Sequence, residues 1–354
     1  MHGGDIYTFQ RATGKTPLDF SENTNPYGLP VGVKNAMLEN IDYLNRYPDP
    51  NCRALTEVVA HYLGISEDYL LFGNGAADII YRIAYALKPK KALILAPTFS
   101  EYEASLRSVG TEVSYFLLEE RNQFTLTEEI IEAIPENNII YICNPNNPTG
   151  KMCEYALMKK IMEACEKHRT YLVVDECFMD FVEKNFEYSL LQEVKTFQHL
   201  IILKAFTKVF AMAGIRLGYC ITSNKSVLEN IKQSGQPWTV SSIAQIAGIA
   251  CCQENIYLEE SLAEIKKERV YMIESLQNLG VRVYESDVNY VLFRYHAHLA
   301  ESLMKYGIMI RVCNDYNGLD DSYYRVAIKL HHENKKLIMA LQEIRQEEPH
   351  EVIT

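Results

Sequence analysis

Residues 202–219 read ILKAFTKVFAMAGIRLGY. The stretch closes an apolar run with Thr207 and Lys208, and places Arg216 eight positions after the lysine. That is the order of a buried strand whose carboxyl end opens onto polar side chains, and it poses Lys208 either as a surface charge or as a nucleophile. The apolar run containing it, HLIILKAF (199–206), has three counterparts: KALILAP (91–97), NIIYICNP (138–145) and TYLVVDE (170–176). Before and between them lie stretches with apolar residues at three-and-four spacing, among them AADIIYRIAYAL from Ala76 and EYALMKKIMEACEKH from Glu154. Strand-like and helical patterns in alternation predict βαβ units and an α/β fold built on a mainly parallel sheet covered on both faces.

This pattern defines a large domain over residues 45–254. The 44 residues before it, with SENTNPYGLP, are rich in turn formers, carry one helical stretch and are expected to pack on the site as an arm. From 255 to 354 the chain changes character. A long charged and apolar helical pattern (about 255–278) leads to VRVYES, NYVLFRY, IMIRVC and YYRVAIK, with helices expected near 297–306 and 333–346, which together predict a small α+β domain. The formal net charge of -11, with no block of Lys or Arg, argues against nucleic acid or an anionic membrane as partner. No apolar run approaches the roughly 20 residues a spanning helix needs, and the N-terminal stretch lacks the pattern of a signal peptide, so a cytoplasmic location is expected. The nine cysteines are scattered without C-x-x-C spacing and predict reduced, mostly buried thiols. Neither His296 and His298 nor His331 and His332 has a ligand at helical spacing, so no metal site is expected.

In a parallel sheet, ligands sit beyond the carboxyl ends of the strands. After DYLLF comes GNGAAD (73–78), a glycine turn opening a helix, whose free N–H groups could hold a phosphate; taken alone it is equally an ordinary tight turn. NPNNPTG (144–150) follows IIYIC and turns Asn147 back over the strand ends, and Asp175 ends a further strand. An anion-binding turn, an amide, a carboxylate, a lysine and an arginine at one sheet edge suit pyridoxal phosphate, which needs an amine for its aldehyde, an acid for its ring nitrogen and a cationic cradle for its phosphate. A P-loop would keep its glycines and lysine in one turn, and a dinucleotide site would want the third glycine that GNGAAD lacks.

Motifs along residues 2–345, including HGG, LDFSENTNPYGLP, RYPDP, PTFSEY, VDECFMDF, FTKVFAMAGIRLGY, PWTVSSIAQ and NDYNGLDDSYYRVAIK, resemble the fold type I aminotransferase superfamily. Within it they are similar to the histidinol-phosphate aminotransferases and, more closely, to the threonine-phosphate decarboxylases of cobalamin biosynthesis. The resemblance implies a large domain with a mainly parallel seven-stranded sheet, bound pyridoxal 5'-phosphate, and a homodimer with shared active sites. It implies that Lys208 bonds to the cofactor aldehyde and later moves protons, that Asp175 pairs with the ring nitrogen, that Asn147 donates to the ring's phenolic oxygen, and that Tyr102 stacks on the ring. Gly75, Ala76, Ala77, Thr207 and Arg216 would hold the phosphate, joined by Tyr47 from the second subunit. Where relatives carry a serine or threonine three residues before the lysine, this chain has Ala205, so one charge-assisted hydrogen bond of about 1.5 to 3 kcal/mol is missing.

The resemblance also implies substrate contacts at Arg311, Arg325, Asn147, Asn23 and His2. Reaction type in such enzymes follows the posture of the substrate: a clamped carboxylate favours C–H cleavage, a tilted one favours loss of carbon dioxide. Three residues after Asp175, where histidinol-phosphate aminotransferases usually carry a tyrosine, stands Phe178, as in the decarboxylases. The expected activity is therefore decarboxylation of L-threonine O-3-phosphate to aminopropanol phosphate, with an aminotransferase acting on histidinol phosphate or another amino acid as the alternative. With no appended helix-turn-helix segment, a noncatalytic regulator is the weaker reading.

Overall fold

A run such as LIIL makes a stable strand only if both of its faces are covered, and the computed structural model, which describes residues 3–347, covers them. The strands are β1 (Leu18–Asp19), β2 (Leu70–Gly73), β3 (Lys91–Ala96), β4 (Glu112–Leu117), β5 (Ile139–Cys143), β6 (Tyr171–Asp175), β7 (Leu200–Ala205) and β8 (Gly218–Ile221), followed by β9 (Arg282–Val283), β10 (Tyr290–Arg294), β11 (Ile308–Met309), β12 (Arg311–Val312) and β13 (Tyr323–Ala327). Seven of them form one sheet in the order β2-β8-β7-β6-β5-β3-β4. β8 runs antiparallel to both neighbours, and the pairs from β7 across to β4 are parallel.

Burial explains which strands were legible. Every residue of β5 and of β7 is buried, whereas β4, on the sheet edge, alternates between half-buried and exposed positions and presents no apolar run. The covering helices meet the sheet as their spacing predicts: Gly75–Leu87 buries Ile79, Ile80 and Ile83, and Tyr155–His168 buries Met158, Ile161, Met162 and Cys165.

The long helix Asn255–Asn278 leads to a four-stranded antiparallel sheet, β12-β13-β10-β9, and packs against β9, β10 and the helix His331–Glu347. Two expectations are corrected here. IMIRVC is not one strand: β11 pairs in parallel with β1, the strand breaks at Ile310, and β12 joins β13, because the two halves pair with different sheets. Among the described residues the N-terminal arm holds two α-helices, Ile6–Thr13 and Val31–Glu39, instead of one. The first buries only Phe9, too little for a readable periodicity, and is set by its ends: Asp5 accepts from Thr8 N at 3.1 Å, and Gly14 closes the helix at φ 69°.

Beyond β1, Phe20 N donates to Met309 O and Ala327 N to Phe20 O, both at 2.8 Å, and Asn25 N donates to Lys208 O at 2.9 Å. These bonds stitch residues 20–25 between the small C-terminal sheet and the turn after β7. All nine cysteines are free, and no helix among the described residues is long and apolar enough to cross a membrane.

Candidate active site

A cavity of about 560 Å³ opens at the carboxyl ends of β5, β6 and β7, between the large sheet and the small one. Ala76, Ala77, Tyr102, Asn147, Asp175, Thr207, Lys208 and Arg216 line it from the large-domain side, Asn23 from the arm, and Arg311 and Arg325 from the small domain. Ala205 and Phe178 line it as well. Tyr47 stands elsewhere on the surface, 81% exposed and packed on Trp238 at 5.0 Å between ring centroids. His2 lies outside the described residues; Gly3, which follows it, lines the cavity.

One end of the cavity has the make-up of an anion cradle. The helix Gly75–Leu87 has no side-chain cap at its start, leaving its first N–H groups and its positive end toward the cavity. Gly75 has φ 80°, and a Cβ there would lie 2.6 Å from Arg216 Nη2; a Cβ on Gly218 would lie 2.4 Å from Ala76 N. Two glycines thus let the arginine and the next strand close around the helix start. Thr207 adds a hydroxyl at the same wall.

Deeper in, Asp175 is buried and accepts from Tyr102 Oη at 2.6 Å and from Cys177 N at 2.9 Å. Burial, and then the Asp175 carboxylate, push the Tyr102 hydroxyl well above its ordinary pKa, so it remains a donor. Tyr102 is wholly buried and stacked on Tyr141 with centroids 5.1 Å apart. The three asparagines of NPNNPTG divide their work. Asn144 Oδ1 accepts from Cys153 N, and Asn146 binds Thr98, Pro97 and Thr149, which shapes the turn and leaves Asn147 for the cavity.

The opening stretch contains two lysines, and the structure separates them. Lys204 points into a buried ion cluster, 3.0 Å from Asp180 and 3.6 Å from Glu176. Burial alone would lower its pKa, but the two carboxylates outweigh it and hold the ammonium charged above the usual lysine range. Lys208 faces the cavity, with Nζ 5.9 Å from the centroid of the Phe178 ring. Burial lowers its pKa first and the Arg325 guanidinium second, with Glu22 opposing. A lysine held toward its neutral form beside a carboxylate and an anion cradle can act as a nucleophile; Lys204 cannot.

On the small-domain wall, Arg325 donates to Asn147 Oδ1 and, at 2.9 Å, to Ser21 O. With its amide oxygen turned toward the guanidinium, Asn23 accepts from Nε and Nη1 at 3.2 Å. Arg311 Nη2 instead meets both oxygens of Asp315, at 2.7 and 2.8 Å. Sequence reasoning missed Tyr316, whose hydroxyl donates to Asn147 Oδ1 at 3.3 Å, and Glu22 and Ser21 of the arm. Tyr316 and Asp315 sat inside the noted NDYNG motif without a role. The carbonyl of Ser21 has no sequence signal, since any residue supplies one.

The sequence profile of aminotransferase class I and II matches residues 15–344. The chain belongs to this family. A threonine-phosphate decarboxylase of Salmonella typhimurium is 34% identical over 351 residues, covering 97% of this chain and 96% of that one. The crystal structure of a histidinol-phosphate aminotransferase from Clostridium acetobutylicum superposes with a TM-score of 0.87 at 36% identity, covering 93% of this chain and 99% of the other. The same fold is found at 18% identity, with a TM-score of 0.88 and coverage of 97% and 95%, in a histidinol-phosphate aminotransferase from Sinorhizobium meliloti in complex with pyridoxal-5'-phosphate. The cofactor of this aminotransferase-family chain is pyridoxal 5'-phosphate, and the donor set fits it: an anion cradle, a buried carboxylate and one lysine held toward neutrality.

Gly75→Ala tests the cradle. The new Cβ forces Arg216 aside and sits at a positive φ, so the cofactor dissociation constant is expected to rise about tenfold and the apoenzyme Tm to fall by roughly 2 to 4 °C. Equilibrium dialysis and calorimetry read the two effects, and unchanged retention would remove Gly75 and Arg216 from the phosphate site.

Proposed function

We propose that this chain is a pyridoxal-phosphate-dependent decarboxylase that converts L-threonine O-3-phosphate to aminopropanol phosphate, working in the cytoplasm. The observation that carries this reading is the pair of unlike arginines facing Lys208: Arg325, buried among neutral acceptors, and Arg311, matched by Asp315. One uncompensated guanidinium anchors one anionic end of the substrate firmly and leaves the other free to tilt. The 34% identity to a threonine-phosphate decarboxylase over nearly the whole chain supports it. So does Phe178, which presents no hydroxyl to the cavity and packs edge-on against Tyr290 at 5.0 Å.

In this reading Asp175 pairs with the ring nitrogen, Asn147 donates to the phenolic oxygen, and Ala76, Ala77, Thr207 and Arg216 hold the cofactor phosphate. When bound, the cofactor withdraws electrons from the substrate α-carbon and weakens whichever bond stands perpendicular to its ring. Arg325, with Asn23, binds the substrate phosphate. The carboxylate would leave as carbon dioxide with its bonding electrons left on the α-carbon, and Lys208, charged by the proton that the incoming substrate ammonium gives up, would return that proton to the α-carbon. Residues 20–25 and the small domain exclude water from above.

The surface supports a homodimer. Val31, Leu38, Ile41, Tyr43, Leu44 and Tyr47 are exposed along one segment, and Trp238 packs on Tyr47. Exposed apolar side chains in such succession mark an interface, and a second copy seated there would bring Tyr47 toward the partner's cofactor phosphate.

An aminotransferase acting on histidinol phosphate is the second reading, favoured by the 36% identity to the Clostridium acetobutylicum enzyme. One incubation of the holoenzyme with L-threonine O-3-phosphate separates the two. Carbon dioxide release with the cofactor returning to its aldehyde form is expected; conversion to the amino form without carbon dioxide would overturn the decarboxylase.

A further inference from the structure

Arg311 and Arg325 share a wall of the cavity and differ in what surrounds them. The hydrogen-bond acceptors around Arg325 among the described residues are amides and a carbonyl, all neutral. Arg311 has a carboxylate: Nη2 donates to Asp315 Oδ1 and Oδ2 at 2.7 and 2.8 Å. Two other contacts hold Arg311 independently of that pair. Its Nη1 donates to Val312 O at 2.9 Å, and its Cζ lies 5.3 Å from the centroid of the Tyr316 ring. The Arg311 side chain is 9% exposed and that of Asp315 38%, and only the arginine lines the cavity, so the carboxylate meets it from the solvent side.

A residue that only oriented Arg311 would be redundant with the backbone bond and the aromatic contact. What Asp315 adds to these two contacts is charge, and Arg311 is not the only partner of its carboxylate. We propose that Asp315 sets the substrate specificity of the cavity through Arg311, tempering that arginine's charge so that a phosphorylated amino acid finds one strong and one weaker anion anchor there. The inference rests on the reading of the cavity as a site for a substrate with two anionic ends. With Arg311 unmatched, the phosphate and the α-carboxylate could each be clamped by a guanidinium, and a clamped carboxylate is held back from the posture in which it leaves. Asp315 is thus a positioning residue acting at one remove from the chemistry.

The test uses the cofactor-loaded enzyme and inorganic phosphate, a probe that reports the anion site whatever reaction the enzyme performs. In Asp315→Asn the dissociation constant for phosphate, read by calorimetry, is expected to fall about five- to tenfold, the effect being moderated by solvent at the rim. In an Arg311→Gln background the same change should have no effect, and Asp315→Glu, which keeps the charge, should bind phosphate as the parent does. With L-threonine O-3-phosphate, Asp315→Asn should lower KM and kcat together and increase the share of turnovers that end in the amino form of the cofactor. A phosphate constant that is unchanged or raised in Asp315→Asn, or shifted equally without Arg311, overturns the proposal and leaves Asp315 a structural residue. If the parent enzyme releases no carbon dioxide, the reaction assigned above fails, and the phosphate titration still decides the role of Asp315.

Discussion

Lys208→Ala is expected to reduce turnover by more than about a thousandfold and to abolish the absorbance of lysine-bound cofactor, because in the proposed mechanism Lys208 is both the amine that bonds to the aldehyde and the proton donor for the α-carbon. The adjacent structure should survive. Lys208 faces a cavity and Lys204 carries the ion pairs of this region, so the variant removes no salt bridge recorded among the described residues. Cofactor should still bind through the cradle and Asp175, but reversibly and with the spectrum of the free aldehyde. The matching control is Lys204→Met, which breaks the contacts with Asp180 and Glu176 and leaves Glu176 buried without a cation; it should lower stability by about 3 to 5 kcal/mol. Retained turnover in Lys208→Ala would overturn the assignment of the site.

Arg325→Gln is expected to raise KM for L-threonine O-3-phosphate by roughly a hundredfold, the scale of losing a buried, charge-assisted anion contact. Glutamine keeps hydrogen bonding toward Ser21 O and Asn147, so the wall should hold its shape while losing its charge. A second effect follows from the electrostatics of the cavity. Arg325 is the largest cause after burial of the depressed Lys208 pKa, so its removal moves that pKa back toward the ordinary lysine value. In the proposed role of Lys208, the neutral amine that captures the cofactor then becomes abundant only at higher pH. Reconstitution of the apoenzyme with pyridoxal phosphate, measured as a rate against pH, should shift its rise to higher pH in Arg325→Gln. An unaltered KM would exclude Arg325 from the anion site, and an unaltered pH profile would exclude its action on Lys208.

Much of the site was legible because a parallel sheet turns order in the chain into proximity. Asp175, Asn147, Thr207 and Lys208 each follow an apolar run, and all strands with that polarity deliver their ends to one edge. The helix start at Gly75 was legible as a turn, and its use as a cradle became visible with the close approach of Arg216 and Gly218. Less was legible where local pattern is weak. The helix Ile6–Thr13 buries one residue, β4 is half-exposed, and the break at Ile310 is imposed by the two sheets that compete for IMIRVC.

What the amino-acid sequence determined by itself was the alternation of buried strands and covering helices, and the set of polar side chains at the strand ends that calls for pyridoxal phosphate. Both follow from near neighbours in the chain, through side-chain periodicity and the residues that end each run. Only the tertiary structure decided which charges are active. Lys204 and Lys208 differ by four positions, and what separates them is that Asp180 and Glu176 come to one of them. Arg311 and Arg325 sit on paired strands, and they differ because Asp315 turns back on the first while Ser21, 304 residues away, reaches the second with a neutral carbonyl. Charge on a buried group is set by what surrounds it in space, and those neighbours are assembled by folding.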